Sequence, residues 1–196
     1  MADHATEHST LMLATTDEQL RLHAAQHGVA SATVAAYIAA VSDRTLHVPT
    51  FADDVAFPCG AETVTLDGDV GLVGSPGMLL RFGRCDPSAI LHVTRGVLDT
   101  LAMHSLGFDS IGLSSTCEML RPLVERIVGQ GRAKVIAWCE TPLGNSLLCY
   151  PDTVKHFHRA HIPEGFASLH DWIVRGKATR AAIIEHVRAG VAASRS

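Results

Sequence analysis

The sequence predicts an α/β protein: a parallel sheet flanked by helices, preceded by a small α+β N-terminal region. Three observations predict it. From Pro87 onward, short apolar runs alternate with amphipathic stretches at the spacing of βαβ units. Before Pro87, brief strand-like runs are separated by tight turn signals, the mark of an antiparallel region. Across all 196 residues, 47% apolar against 18% charged content is enough to bury a core, which excludes global disorder.

The elements follow in order. Asp17 to Gln26 reads as a helix capped by Thr16 and stopped by His27-Gly28. Ser31 caps a second expected helix, Ala32 to Val41. Asp54–Phe57 and Glu62–Leu66 read as β-stretches around Pro58-Cys59-Gly60, and Asp67-Gly68-Asp69 turns the chain into Val70–Val73. Ser75-Pro76-Gly77 and Asp86-Pro87-Ser88 are breakers, so the expected division is 1–87 and 88–196. Ala89–Thr94 then reads as a buried strand, Val97–Leu106 as a helix ended by Gly107, and Ser110–Leu113 as a second strand. Cys117–Val128 is a helix with Leu120, Leu123, Val124 and Ile127 on one face, and Lys134–Trp138 is a third strand. Asp171–Arg175 and Thr179–Ala189 are closing helices. In open parallel sheets ligands bind beyond the carboxyl ends of the strands. Those ends are Thr94-Arg95-Gly96, Ser114-Ser115-Thr116 and Cys139-Glu140-Thr141.

Composition narrows the function classes. Residues 1–90 hold four Arg against eleven acids, net −7; residues 91–196 hold twelve Lys/Arg against nine acids, net +3. The second half is the one suited to a phosphate backbone. No apolar run reaches the length of a membrane span, and the polar start of the chain is unlike a secretory signal. Five cysteines without a CxxC pair point to a reducing, cytoplasmic setting.

The stretch ILHVTRGVLDTLAMHSLGFDSIGLSS, Ile90 to Ser115, resembles the first half of a Toprim domain, the Rossmann-like fold shared by bacterial and phage primases, topoisomerases and related nucleases. Gly96, Asp99 and Gly107 fall in register with that pattern, and Gly144 matches the Gly that closes its Asp-x-Asp-x-x-Gly motif. The tail IPEGFASLHDWIVRGKATRAAIIEHV is similar to the segment after the Toprim core of primases. The resemblance implies a Toprim-like parallel sheet and a role in DNA replication or mobile-element maintenance, of phage or plasmid type. The short spacing from Gly144 to Pro163 leaves an expectation that the third helix and fourth strand are trimmed.

The departures bear on chemistry. The family's catalytic Glu position is Arg95, and its Asp-x-Asp positions are Cys139 and Thr141. A cation repels Mg²⁺, and Cys is a soft ligand poorly matched to it. Asp99 alone remains in place, as a remnant ligand or as a structural partner of Arg95 one helical turn back. No cofactor is expected, and Mg²⁺ only if the site is rebuilt, with Glu140 and Glu118 as candidate acids. Arg95, Ser115, Arg121, Arg126, Arg132 and Lys134 are candidate phosphate contacts. His156, His158 and His161 form a dense cluster that reads as a titrating or nucleic-acid-facing patch with Lys155 and Arg159 rather than as a metal site. Cys139 reads as a buried inert thiol, and Trp138 and Trp172 as core.

These readings lead to an expected Toprim-like pseudoenzyme that binds DNA or RNA, or a replication partner such as a helicase. The alternatives are a divergent Mg²⁺-dependent primase or nuclease, and a structural or regulatory subunit or inhibitor.

Overall fold

The computed structural model describes residues 2–52, 57–80, 86–114, 120–139, 143–147 and 149–194. The chain opens with α1 (Ala2–Ala14), α2 (Asp17–Gln26) and α3 (Ser31–Ala36), then β1 (Ala40–Ser42), β2 (Thr45–Phe51), β3 (Gly60–Thr65), β4 (Val70–Gly74) and β5 (Met78–Leu79). The second part runs β6 (Leu91–Arg95), α4 (Gly96–Ser105), β7 (Asp109–Leu113), α5 (Leu120–Gly129), β8 (Lys134–Ala137), α6 (Leu143–Leu147), β9 (His156–Arg159), α7 (Leu169–Val174) and α8 (Arg180–Ala193). All strands share one mixed sheet, ordered β4-β3-β2-β5-β7-β6-β8-β9, with β1 beside β2. Pairing is antiparallel from β4 to β7 and parallel from β7 through β6 and β8 to β9. The architecture is the α/β class that the alternation of apolar runs predicts.

Local chemistry explains the boundaries. Thr16 caps α2 by accepting the Gln19 N–H, while the Gln19 side chain accepts the Thr16 N–H, a complete capping box. Gly28, at φ +64°, then turns the chain away. α3 stops at Ala36, so the helix expected to reach Val41 ends early. Ala40 and Val41 are buried in β1 instead, paired with His47 and Leu46. Three elements of this part went unseen in the sequence, α1, β2 and the two-residue β5, and Pro49 inside β2 is the reason that strand does not read as one. The Asp67-Gly68-Asp69 turn joins β3 to β4 as expected. Of the expected strand Asp54–Phe57, positions 54–56 lie outside the described residues. The short span expected to trim the third helix and fourth strand holds both α6 and β9, but only as five and four residues. They fit in the short span because Gly144 sits so close to the Phe157 ring that a Cβ there would approach it to 2.7 Å.

The core has three parts. Leu123, Val124, Ile127, Leu143 and Leu147 of α5 and α6 cover one sheet face over Leu91, Val93, Val135 and Ala137. α4, α7 and α8 cover the other, with Met103, Leu169, Ile183 and Val187 over Ile136 and Trp138. A third cluster joins the two halves of the sequence, packing Tyr37, Val48, Val64 and Leu79 against Val97 and Leu101 of α4. Each rests on apolar area removed from water.

Candidate functional site

The parallel strands all end at one edge of the sheet, the carboxyl edge. β6 pairs with β8 through Val93↔Ala137, and β8 with β9 through Ala137↔Arg159. The period of two then places Arg95, Cys139 and Arg159 on one face of three neighbouring strands. Both arginines are exposed. Cys139 between them is buried, and burial pushes its thiol up to about 11, although the Arg95 and Arg159 guanidiniums pull the other way. A thiol so protonated is no nucleophile at neutral pH, in keeping with the inert reading.

Behind this face the chain turns from β6 into α4 at Gly96, whose φ of +75° suits glycine. No side chain at Arg95 caps the helix. The cap comes from β3: Glu62 Oε1 accepts the Val97 N–H at 3.2 Å. Glu62 is only 6% exposed, and its Oε2 has no hydrogen-bond partner. Burial, reinforced by the nearby Asp99 carboxyl and opposed by the Val97 bond, pushes Glu62 up to about 7. Sequence reasoning missed this residue. Its signal was the spacing to Val64, which puts Glu62 on the core-facing side of its strand.

Asp99 is not the partner of Arg95; the two are not ion-paired, and the expected salt bridge is corrected. The Asp99 carboxylate turns to the start of α7, where it accepts the His170 N–H at 2.8 Å and hydrogen bonds from the Leu169 N–H and the Ser168 hydroxyl. Burial raises its pKa, and those bonds oppose the rise. The one acid retained in the Toprim pattern therefore anchors a helix.

The phosphate candidates are not brought together. Arg95 lies at the carboxyl edge, with Arg121 at the start of α5 paired with Glu125 at 2.9 Å. Arg126 lies farther down α5, half-buried. Lys134 opens β8 at the opposite edge. Arg132 is corrected outright: it is 1% exposed, ion-paired with Asp109, and bonded to Gln130 Oε1 and the Asp86 carbonyl, so no phosphate reaches it. Ser115 and Thr141, with Glu118 and Glu140, lie outside the described residues. His156 and His158 sit on the strand β9, on one face; burial lowers His158 foremost, and the neighbouring His161 and His186 lower it further. Trp138 is buried and donates its indole N–H to His92 Nδ1 at 2.9 Å.

The Toprim resemblance implies Mg²⁺ at this edge, and the donors described do not fit it. A guanidinium stands in the place of the family's Glu, the thiol of Cys139 is soft and protonated, and Asp99 is engaged by α7. Among the described residues no group of three His, Cys, Asp or Glu side chains is arranged to hold a metal.

No family model and no curated protein matches the sequence. Among solved structures, the chain is similar to the primase fragment of the bacteriophage T7 primase-helicase protein. The TM-score is 0.55 at 15% identity, over 82% of this chain and 72% of that one. The fold is primase-like. At this identity the likeness is one of architecture, which hosts many functions. Among the described residues no helix is long and apolar enough to cross a membrane.

Proposed function

We propose that this primase-like chain is a nucleic-acid-binding module of DNA replication or mobile-element maintenance, Toprim-like and without metal-dependent catalysis. Arg95 carries the reading. It is exposed at the carboxyl end of β6, with Arg159 on the same face two strands away. At the strand spacing of about 4.8 Å, the two stems stand roughly 10 Å apart across the sheet. A pair of cations at this edge suits a phosphodiester chain, and Arg presents a planar fork to each phosphate. A replication protein such as a helicase is the partner this setting suggests.

The test is fluorescence anisotropy with short single- and double-stranded DNA and RNA at low salt. Arg95→Glu is expected to weaken binding at least about tenfold, near 1.4 kcal/mol, and to flatten the salt dependence. Absence of binding, or binding that Arg95→Glu leaves unchanged, overturns the reading.

One observation favours a second reading, a divergent Mg²⁺-dependent primase or nuclease: Glu62 brings an unlooked-for carboxyl beside Asp99. Calorimetric titration with Mg²⁺ and Mn²⁺ decides it. Tight binding lost in both Asp99→Ala and Glu62→Gln would put this reading first.

A further inference from the structure

Among the described residues, the strand order ends at β4 on one side and at β9 on the other. The β4 edge is a five-residue strand VGLVG with no charge and every residue exposed. Such an edge is a ready template for another strand, and natural proteins seldom leave one unguarded. Val70 and Leu72 are 57% and 45% exposed. By their pairing with Val64 and Glu62 they share the sheet face that α4 covers farther in. Among the described residues, no helix covers this apolar ridge.

β9 is the other edge. Beside it, on the face covered by α8, runs an open groove of about 650 Å³. Ile136, Val187 and Val191 form its apolar floor, Lys134, Lys155 and Arg188 stand around it, and no acidic residue lines it. The β4 edge carries the opposite charge, because Asp67 and Asp69 form the turn that leads into it. Lys155 precedes β9 and Arg159 ends it, so either strand direction brings that acidic turn to a cation.

We propose that β4 of one copy adds to β9 of the next, so that copies of this chain join head to tail. The added strand continues the sheet, and where its α4 side continues the α8 side of the neighbour, Leu72 enters the apolar groove. Backbone edge, charge and apolar relief are complementary, and both members of each pair are on this one chain. A symmetric β4–β4 contact would instead bring together the two halves of net −7. A heterologous contact does not close on itself in pairs, so it builds rings or filaments.

Sedimentation velocity against protein concentration tests it. The mass is expected to rise past the dimer as concentration rises, and to fall with added salt. Leu72→Asp blocks one edge and Lys155→Glu the other. Both sites are exposed, and unchanged circular dichroism and melting would verify each fold, with Val73→Lys in reserve for the β4 edge. Each variant alone is expected to be monomeric, and the two mixed are expected to form a one-to-one dimer from the remaining good edges. A wild type that stays monomeric, a mass that levels off at the dimer, or a mixture that does not pair overturns the proposal.

Discussion

Glu62 and Arg132 show two ways a charged side chain lives in this core. Glu62 is buried with one oxygen on the α4 N-terminus and the other unpartnered, which favours the neutral acid. Its folded pKa, about 7, lies above its ordinary 4.5. Its contribution to stability is therefore fully present below pH 4.5 and is lost as pH rises through 7. Glu62→Gln removes that loss. The variant is expected to be more stable than wild type at pH 8, by roughly 1–3 kcal/mol, and close to it at pH 5; denaturant melts at both values check this. Arg132 is the paired case. Its guanidinium is satisfied by Asp109, Gln130 and a backbone carbonyl. Asp109→Asn leaves a buried cation short of its counter-charge, and a loss of roughly 3 kcal/mol is expected in the same melts.

At the scale of elements, helix ends meet carboxylates borrowed from elsewhere in the chain. α4 is capped by Glu62 across 35 residues of sequence, and α7 by Asp99 across 71. α7 has only six residues, too short to hold itself, so its place depends on that anchor and on Ser168, which accepts the Asp171 N–H. Asp99→Ala is expected to speed amide exchange selectively in Leu169–Val174 and to cost about 1–2 kcal/mol. Unchanged protection there would show that packing alone holds the helix. Close backbone approach sets the other joints. A Cβ at Gly112 would meet the Thr100 hydroxyl at 2.1 Å, so α4 lies tight on β7. Thr100 itself bonds the Gly96 carbonyl and the Thr94 hydroxyl.

At the scale of the whole molecule, histidines make the fold acid-sensitive. Burial, the largest cause in each case, lowers His8, His23, His27, His47, His92 and His158, His92 to about 3. His23 and His27 each keep a buried ring nitrogen without a hydrogen-bond partner, which the charged form would worsen. The fold thus prefers neutral rings. The unfolded chain takes up protons below pH 6.5 that the fold refuses, so stability falls as pH drops through that value. Glu62 and Asp99 run the opposite way, but two acids oppose six histidines. Melting temperature is expected to fall steadily from pH 7 to pH 5, and a flat profile would contradict it. Because the cluster joining Val48, Val64 and Leu79 to Val97 and Leu101 spans both sequence halves, a single cooperative transition is expected across that range.

The sequence by itself determined the α/β class, the helix α2 with its Thr16 cap, the β3–β4 hairpin and the βαβ run from β6 to β8. Those features rest on period, caps and turns, which act between neighbours in the chain. It also marked Arg95, Gly96 and Cys139 as strand ends, and Asp99 and Gly144 as positions in register with the Toprim pattern. Their present roles were decided by tertiary structure. Asp99 became the anchor of α7 and Arg132 a buried ion pair because the partners lie 71 and 23 residues away. Glu62 reached the carboxyl edge only through the antiparallel strands that carry β3 to α4. β9 became a strand, despite its histidines, because β8 offered it a free edge and Gly144 left room for Phe157. Periodicity reports which way a side chain faces; only the packed sheet decides what it meets there.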